Sequence, residues 1–96
     1  MPTYAQTAGF RRDFAALTAE QKAAFRRAVE HFIQDLPAGG FRKGLRVKGV
    51  KGAKGIYEMT WARDGRATFQ FGSPPLEGKA HVIWRRIGTH EILDEP

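Results

Sequence analysis

The sequence predicts an α+β fold, in which an N-terminal antiparallel helix hairpin packs on one face of a twisted, mainly antiparallel sheet of four to five strands. Apolar residues recur at the helical period between residues 10 and 36. Polar and apolar residues alternate over 56–71, and the Asp-Gly pair between the two alternating runs is a strong hairpin signal. A near-continuous apolar run at 80–87 is typical of a strand in the centre of a sheet. The length allows one modest core, so residues 1–96 are expected to form a single domain.

The composition narrows the classes of function. Sixteen basic residues against ten acidic ones give a net charge of +6. This excess favours a polyanionic partner, such as nucleic acid, an anionic membrane or an acidic protein, over a merely soluble basic domain. No apolar run reaches the roughly 20 residues that span a bilayer, and no signal-peptide pattern opens the chain, so a cytoplasmic protein is expected. Cysteine is absent and the three histidines lie far apart in the pattern, so no metal or other cofactor is expected.

The first half of the chain predicts one short strand and two helices. Residues 3–6 can form an edge strand, and Thr7 suits the N-cap of a short first helix. Thr18 is expected to begin a second helix, because Gln21 stands at the capping-box position three residues later. The second helix is expected to end before Pro37, which cannot continue it. Its apolar positions follow the 3.6-residue period: Phe25, Ala28, Val29, Phe32, Ile33 and Leu36.

A basic segment, residues 41–54, follows the helices. It contains no acidic residue, and its glycines at 44, 49 and 52 allow close approach of the backbone to a phosphate. We expect a strand here that enters the sheet and contacts RNA or the ribosome; the alternative is a merely solvated charged surface. The segment is not a P-loop, because the Gly-Lys-Ser/Thr ending is absent. The expected contacts are made by Arg42, Lys43, Arg46, Lys48, Lys51 and Lys54.

The hairpin at 55–71 has two different faces, because successive side chains of a strand point to opposite sides. One face is apolar and consists of Tyr57, Met59, Trp61, Ala67, Phe69 and Phe71. The other, which we name the polar face, consists of Glu58, Thr60, Arg66, Thr68 and Gln70. We interpret the polar face as an exposed working surface that handles a phosphodiester.

The end of the chain predicts a loop at 72–78, a central strand at 80–87 and an acidic tail at 94–96. Gly88 is expected to break the strand pattern. If Gly88 keeps the strand register, Arg86 and His90 lie on the same face of the last strand, and we assign that face to the proposed cleft. Arg85 is expected to be structural or to face a partner.

The order of these parts resembles the RelE/ParE superfamily of bacterial toxin–antitoxin toxins. The resemblance lies in GIYEMTW, then GR and TF, then IGTHEIL at the end of the last strand, and GIYEM is also similar to the HigB branch. It implies a RelE/ParE-like fold and an mRNA interferase that cleaves mRNA on the ribosome and so inhibits translation. It also implies a cognate antitoxin, acidic and partly disordered before binding, which docks along the helix pair or over the Arg66–His90 cleft.

The resemblance implies roles for particular residues. Arg66 matches the phosphate-binding arginine of the family, and His90 matches its last-strand Arg or His. Lys48, Lys51 and Lys54 lie where relatives contact RNA. The chain departs from the family at Ile92 or Leu93, where some relatives have a tyrosine, and at Glu58 and Thr60, near which one branch has paired lysines.

RNA cleavage without a metal requires a base, a cation for the phosphorane and an acid for the leaving oxygen. Arg66 and Arg86 are the predicted phosphate clamp. His90 is the best acid or base, because its ordinary pKa is near neutrality. Glu58 is the second candidate. Alternatively, Glu58 and Arg66 form only a cross-strand ion pair, and His90 caps the exit from the sheet.

Three hypotheses remain open from the sequence. The first is a metal-independent endoribonuclease toxin, with mRNA and the ribosome as partners. The second is a ParE-like, non-enzymatic toxin that poisons DNA gyrase. The third is a nucleic-acid-binding module on the same scaffold.

Overall fold

The computed structural model describes residues 3–72 and 81–96 and consists of a five-stranded sheet with two helices. The elements are β1 (Thr3–Gln6), α1 (Ala8–Ala15), α2 (Ala19–Asp35), β2 (Lys48–Gly49), β3 (Tyr57–Thr60), β4 (Gly65–Gly72) and β5 (His81–Thr89), with 3₁₀ turns at Leu36–Ala38, Lys43–Leu45 and His90–Asp94. The strand order is β1-β5-β4-β3-β2. Only the β1–β5 pair is parallel among these strands. The predicted α+β class and mainly antiparallel sheet are therefore confirmed, and the predicted edge strand at residues 3–6 is present as β1.

Local capping determines where both helices begin. The Thr7 hydroxyl accepts a hydrogen bond from the Phe10 amide at 3.1 Å. At α2 the predicted capping box is complete: the Gln21 amide donates to the Thr18 hydroxyl, and the Thr18 amide donates to the Gln21 side chain. Each cap satisfies amides that have no partner within the helix. No helix in the described ranges is long and apolar enough to cross a membrane.

The core lies between the helices and the apolar face of the sheet. Phe32 of α2 contacts Phe69 of β4 with ring centroids 5.1 Å apart, and Phe25 meets Trp84 of β5 at 5.4 Å. Phe10 of α1 joins the same cluster and is fully buried. Burying one such side chain stabilises the fold by about 1.5 to 3 kcal/mol, so this aromatic cluster holds the helices on the sheet.

The basic segment forms much less strand than predicted. Only Lys48 and Gly49 pair with β3. The chain turns before them at Lys43–Leu45 and after them, where Gly52 and Gly55 have φ angles of 82° and 80°. These left-handed conformations suit glycine and interrupt a regular strand.

The last strand lies inside the sheet, between β1 and β4, so it is covered by a neighbour on each side, and it continues through Gly88 to Thr89. Gly88 does not break the strand, because it pairs with Arg66 of β4. A Cβ atom at Gly88 would lie 3.1 Å from Ile92, so glycine allows the final 3₁₀ turn to pack closely over the sheet. The predicted loop beyond Gly72 and residue 80 of the predicted strand lie outside the described residues.

Candidate active site

The predicted division of the hairpin into two faces is present, but the polar face is not uniformly exposed. On the apolar face Met59, Ala67 and Phe69 are fully buried. On the polar face Thr68 is also fully buried, and Glu58 is only 7% exposed. The expectation of an open polar surface is therefore wrong at its centre.

The chain that follows β5 covers the centre of the polar face. The Thr68 hydroxyl donates to the main-chain oxygen of Pro96 at 3.1 Å. Ile92 is buried against Gly88. The C-terminal segment, defined here as residues 90–96, thus packs where sequence alternation alone predicted solvent.

The turn of the hairpin meets the end of β5 and forms an acid–base pair there. Gly65 lies opposite Thr89 in the register, which brings Asp64 and His90 together. The Nδ1 atom of His90 lies 2.7 Å from Oδ1 of Asp64, and both side chains are more than half exposed. This hydrogen bond raises the pKa of His90 and lowers the pKa of Asp64, because each charged form is stabilised by the other.

Asp64 is the residue that sequence reasoning missed at this site. Its place in an Asp-Gly turn explained it fully as a turn former. The signal that could have identified it was the register: a strand that continues through Gly88 carries position 90 to the turn of the hairpin. His90 itself begins the 3₁₀ turn and does not lie on the strand, so the expectation that Arg86 and His90 share one strand face is not met.

Arg66 lies on the polar face near the His90–Asp64 pair: it follows Asp64 by two residues and lies opposite Gly88 in the register. Its Nη1 atom donates to the Gly65 oxygen at 3.0 Å and to the Arg63 oxygen at 3.4 Å. Its Nε atom lies 4.0 Å from Oε1 of Glu58. The cross-strand ion pair that the sequence left open as an alternative role is therefore formed, and Arg66 and Glu58 are brought together.

Arg86, the other predicted half of the phosphate clamp, has a different set of partners. Its Nε atom lies 2.6 Å from Oδ2 of Asp13 in α1, and its Nη1 atom donates to the main-chain oxygen of Glu95. The hydrogen bond to Asp13 raises the pKa of Arg86. Arg66 and Arg86 share no hydrogen-bond or ion-pair partner among the described residues.

A β-bulge explains why Arg85 also reaches the polar face. The register of β4 against β5 shifts between Thr68, opposite Arg86, and Phe69, opposite Trp84, so Arg85 has no direct partner. Its Nη1 atom donates to Oε1 of Gln70 at 2.6 Å. The periodic pattern alone could not place this side chain, because one extra residue changes the alternation.

The cations of the basic segment divide into one that is paired and five that are not. Arg42 forms an ion pair with Asp35 at 2.8 Å and also bonds Gln34. This contact lowers the pKa of Asp35 to about 2. The other predicted RNA contacts are exposed and have no ion pair with a described carboxylate: Lys43, Arg46, Lys48, Lys51 and Lys54.

The assembled site offers acid–base and cationic groups. The raised pKa of His90 favours its protonated form, which can donate a proton. The guanidinium of Arg66 can bind two oxygens of one phosphate at once. Within residues 3–72 and 81–96, no three histidine or carboxylate side chains come together in a way that could hold a metal ion.

Comparison with known proteins gives structural matches only. No protein-family model matches the chain, and no curated protein matches its sequence. A chain of the E. coli DinJ-YafQ toxin-antitoxin complex superposes with a TM-score of 0.66 at 15% identity, over 96% of each chain. A chain of the RelB-RelE antitoxin-toxin complex from Methanococcus jannaschii gives 0.59 at 13% identity, over 95% of each. The YoeB/ParE toxin from Agrobacterium tumefaciens gives 0.65 at 11% identity, over 92% of this chain and 98% of the toxin. These likenesses confirm the fold that the resemblance implied: the chain has the fold of the RelE/ParE toxins.

Proposed function

We propose that the chain is the toxin of a toxin–antitoxin pair and that it cleaves mRNA on the ribosome as a metal-independent endoribonuclease. The observation that supports this proposal most strongly is the exposed His90–Asp64 pair beside the hairpin strand that carries Arg66. A protonated imidazole near a guanidinium is a suitable pair of groups for phosphodiester cleavage.

The proposed reaction assigns one role to each group. The substrate 2′-oxygen attacks phosphorus, the bond to the 5′-oxygen breaks, and the products are a 2′,3′-cyclic phosphate and a 5′-hydroxyl. His90 is the general acid: its Nδ1 faces Asp64, so its Nε2–H is the proton that passes to the departing 5′-oxygen. Arg66 stabilises the phosphorane charge. Glu58 accepts the 2′-hydroxyl proton once the phosphate has drawn Arg66 away from it.

Sequencing of RNA 5′-hydroxyl ends after induction in cells tests this function. The protein is expected to produce new cleavage sites, and Arg66→Ala should lower the rate by about 100-fold or more, the effect of losing an oxyanion-type donor. His90→Gln should have a comparable effect. His31→Gln is the matched control, because His31 is an exposed histidine of α2, away from the site. Full cleavage by a folded Arg66→Ala protein would show that this assignment is wrong.

A second candidate function is a binding toxin that poisons DNA gyrase without cleaving RNA. The internal pairing of Arg66 with Glu58 and with two carbonyl oxygens of its own turn favours it, since the cation is already engaged. The same induction experiment separates the two functions. Arrest of replication with no new RNA ends would favour the binding toxin.

The antitoxin is proposed to dock in a groove between α2 and β1. Two of the three structures compared above come from toxin–antitoxin complexes. The groove has a volume of about 500 Å³, and its lining includes Phe14, Val29, Ile33, Leu36 and the edge residue Tyr4. Tyr4 is 68% exposed, and Arg26 and Glu30 both lie at the groove. An amphipathic segment that folds on binding suits this apolar lining, and the net charge of +6 of the chain favours an acidic one.

Co-expression with each neighbouring open reading frame tests the partner. One product is expected to co-purify and to relieve growth arrest, and Ile33→Asp in the groove should abolish both effects. Ala15→Asp, an exposed position on α1 outside the groove lining, is the control. If neither flanking product binds, the toxin–antitoxin assignment loses its main support.

A further inference from the structure

An exposed pair of aromatic rings lies at the end of the hairpin opposite its turn. Phe71 of β4 is 45% exposed, although it belongs to the apolar face of the sheet. Its ring meets the ring of the half-buried Tyr57 in β3 at a centroid distance of 5.5 Å. Both rings also contact the fully buried Phe69, each at 5.6 Å. Tyr57 and Phe71, named here the aromatic platform, are thus anchored to the core and held at the surface.

A turn that carries two lysines lies beside the aromatic platform. A main-chain hydrogen bond of 2.8 Å closes this turn over residues 50–56, which include Lys51 and Lys54. Tyr57 follows the turn directly and pairs with Phe69, so the last residues of β4 extend toward the turn. Both lysines are exposed, and neither forms an ion pair with a described carboxylate. Uncompensated positive charge therefore borders the rings.

The backbone around the platform is open to an approaching ligand. Gly49 of β2 lies opposite Tyr57 in the register, so no side chain covers the ring from that strand. Gly52 and Gly55 belong to the turn. A Cβ atom added at any of these three glycines would have no described atom within 4 Å. This side of the platform therefore leaves room for a flat ligand and for close approach of its backbone.

The combination of rings and cations indicates a nucleotide as the ligand. Proteins bind single-stranded nucleic acid with aromatic rings on which bases stack and with cations that hold the phosphates. Two rings offer about the area of one base, whereas a stable protein interface buries about 800 Å² on each partner. The other large, exposed apolar side chains in the described ranges, Tyr4 and Ile33, lie at the groove between α2 and β1 and do not enlarge this patch.

We propose that Tyr57 and Phe71 stack on an unpaired base of the substrate RNA and that Lys51 and Lys54 hold the phosphates next to that base. Phe71 lies five positions after Arg66 in β4, which at about 3.4 Å per residue is about 17 Å along the strand. The base therefore belongs to a different nucleotide from the one that is cleaved. The two sites lie on opposite faces of the sheet, and the RNA passes between them around β2, an edge strand of only two residues. The proposal rests on the proposed function in that RNA is the ligand.

Fluorescence anisotropy with two labelled, uncleavable 2′-O-methyl RNA dodecamers tests the stacking. One dodecamer carries adenine at every position, and the other is abasic throughout but has the same number of phosphates. Phe71→Ala should weaken binding of the adenine dodecamer at least about fivefold, which is the lower end for one lost base–aromatic stack. It should leave binding of the abasic dodecamer nearly unchanged. Equal losses with both dodecamers, or no loss with either, would overturn the proposal.

A pair of variants at the same position separates stacking from mere apolar contact. Phe71→Tyr keeps the aromatic ring and should bind the adenine dodecamer as tightly as the unmodified protein. Phe71→Leu keeps an apolar side chain without a π face, so it should bind as weakly as Phe71→Ala while its melting temperature stays close to that of Phe71→Tyr. Equal affinity of the Leu and Tyr variants would show that the position needs only an apolar side chain and would overturn the proposal.

The slope of log affinity against log salt tests the lysines of the site. Lys51→Gln should reduce this slope by about 0.7 with both dodecamers, as expected for one lost phosphate contact on a single strand. Phe71→Ala should leave the slope unchanged, because it removes no charge. A slope that Lys51→Gln does not change would overturn the phosphate contact.

The proposed function is judged separately, by the RNA ends in cells. Base-dependent binding without new RNA ends would mean that only the nuclease assignment fails. New RNA ends with equal losses on both dodecamers would mean that only this site fails. If Phe71→Ala abolishes co-purification of the antitoxin and leaves RNA affinity unchanged, the platform belongs to a protein interface and the proposal is wrong.

Discussion

Replacing Gly65 by alanine tests the packing that positions the candidate site. A Cβ atom at Gly65 would lie 2.6 Å from Cε2 and 2.7 Å from Cδ2 of the Trp61 ring. Trp61 is buried and meets Phe25 edge to face at 6.3 Å, so its ring cannot simply swing away. Overpacking of this kind costs about 1 to 3 kcal/mol. We expect the free energy of unfolding to fall by that amount and the melting temperature by about 5 to 20 °C.

Urea denaturation and thermal melts measure this effect, and Gly49→Ala is the matched control. Gly49 lies in an exposed strand with no atom within 4 Å of an added Cβ, so alanine there should be neutral or slightly stabilising. Because Asp64 and Arg66 flank Gly65, the variant should also lose activity at a temperature where it remains folded. Equal stability of Gly65→Ala and the unmodified protein would refute the close packing of Trp61 on this turn.

Three further predictions concern charge. Asp64→Asn should lower the pKa of His90, so that the basic limb of the pH–rate profile and the NMR titration of His90 both move to lower pH. Since Arg42 lowers the pKa of Asp35 to about 2, the stabilisation from this pair is complete above about pH 4 and is lost as the pH falls toward 2. Asp35→Asn should therefore flatten urea-derived stability over that interval. Replacing Lys48, Lys51 and Lys54 together by glutamine should reduce the slope of log affinity for RNA against log salt by about 2. The melting temperature should not change.

The features that could be predicted from the sequence are those determined by near neighbours in the chain. The Thr18–Gln21 capping box depends on residues three apart, and both of its hydrogen bonds are present. The apolar face of the hairpin follows from strict alternation, and Met59 and Phe69 are fully buried as expected. Both patterns are set by backbone periodicity, so a single sequence contains them in full.

The features that could not be predicted depend on contacts between distant parts of the chain. Thr68 is buried, and its hydroxyl donates to a main-chain oxygen 28 positions later in the chain. Every residue has such an oxygen, so the sequence does not indicate which one will make this contact. The bulge at Arg85 depends on how β4 and β5 align, which alternation within one strand does not specify. For the same reason the sequence pattern predicts a phosphate clamp at Arg86 but not its ion pair with Asp13, which lies 73 positions earlier in the chain.

The distribution of paired and unpaired cations separates two tasks within the proposed function. The arginines nearest the sheet, Arg66 and Arg86, are each engaged by a carboxylate, so they add little to the long-range field that attracts a polyanion. The exposed cations of the basic segment have no such partner among the described carboxylates, and they lie at the β2 edge of the sheet. We therefore expect substitutions in the basic segment to change RNA affinity and its salt dependence, while substitutions at His90 change the rate of cleavage of bound RNA. Single-turnover kinetics at saturating protein separates the two effects, and a basic-segment variant that slows cleavage of fully bound RNA would contradict this division.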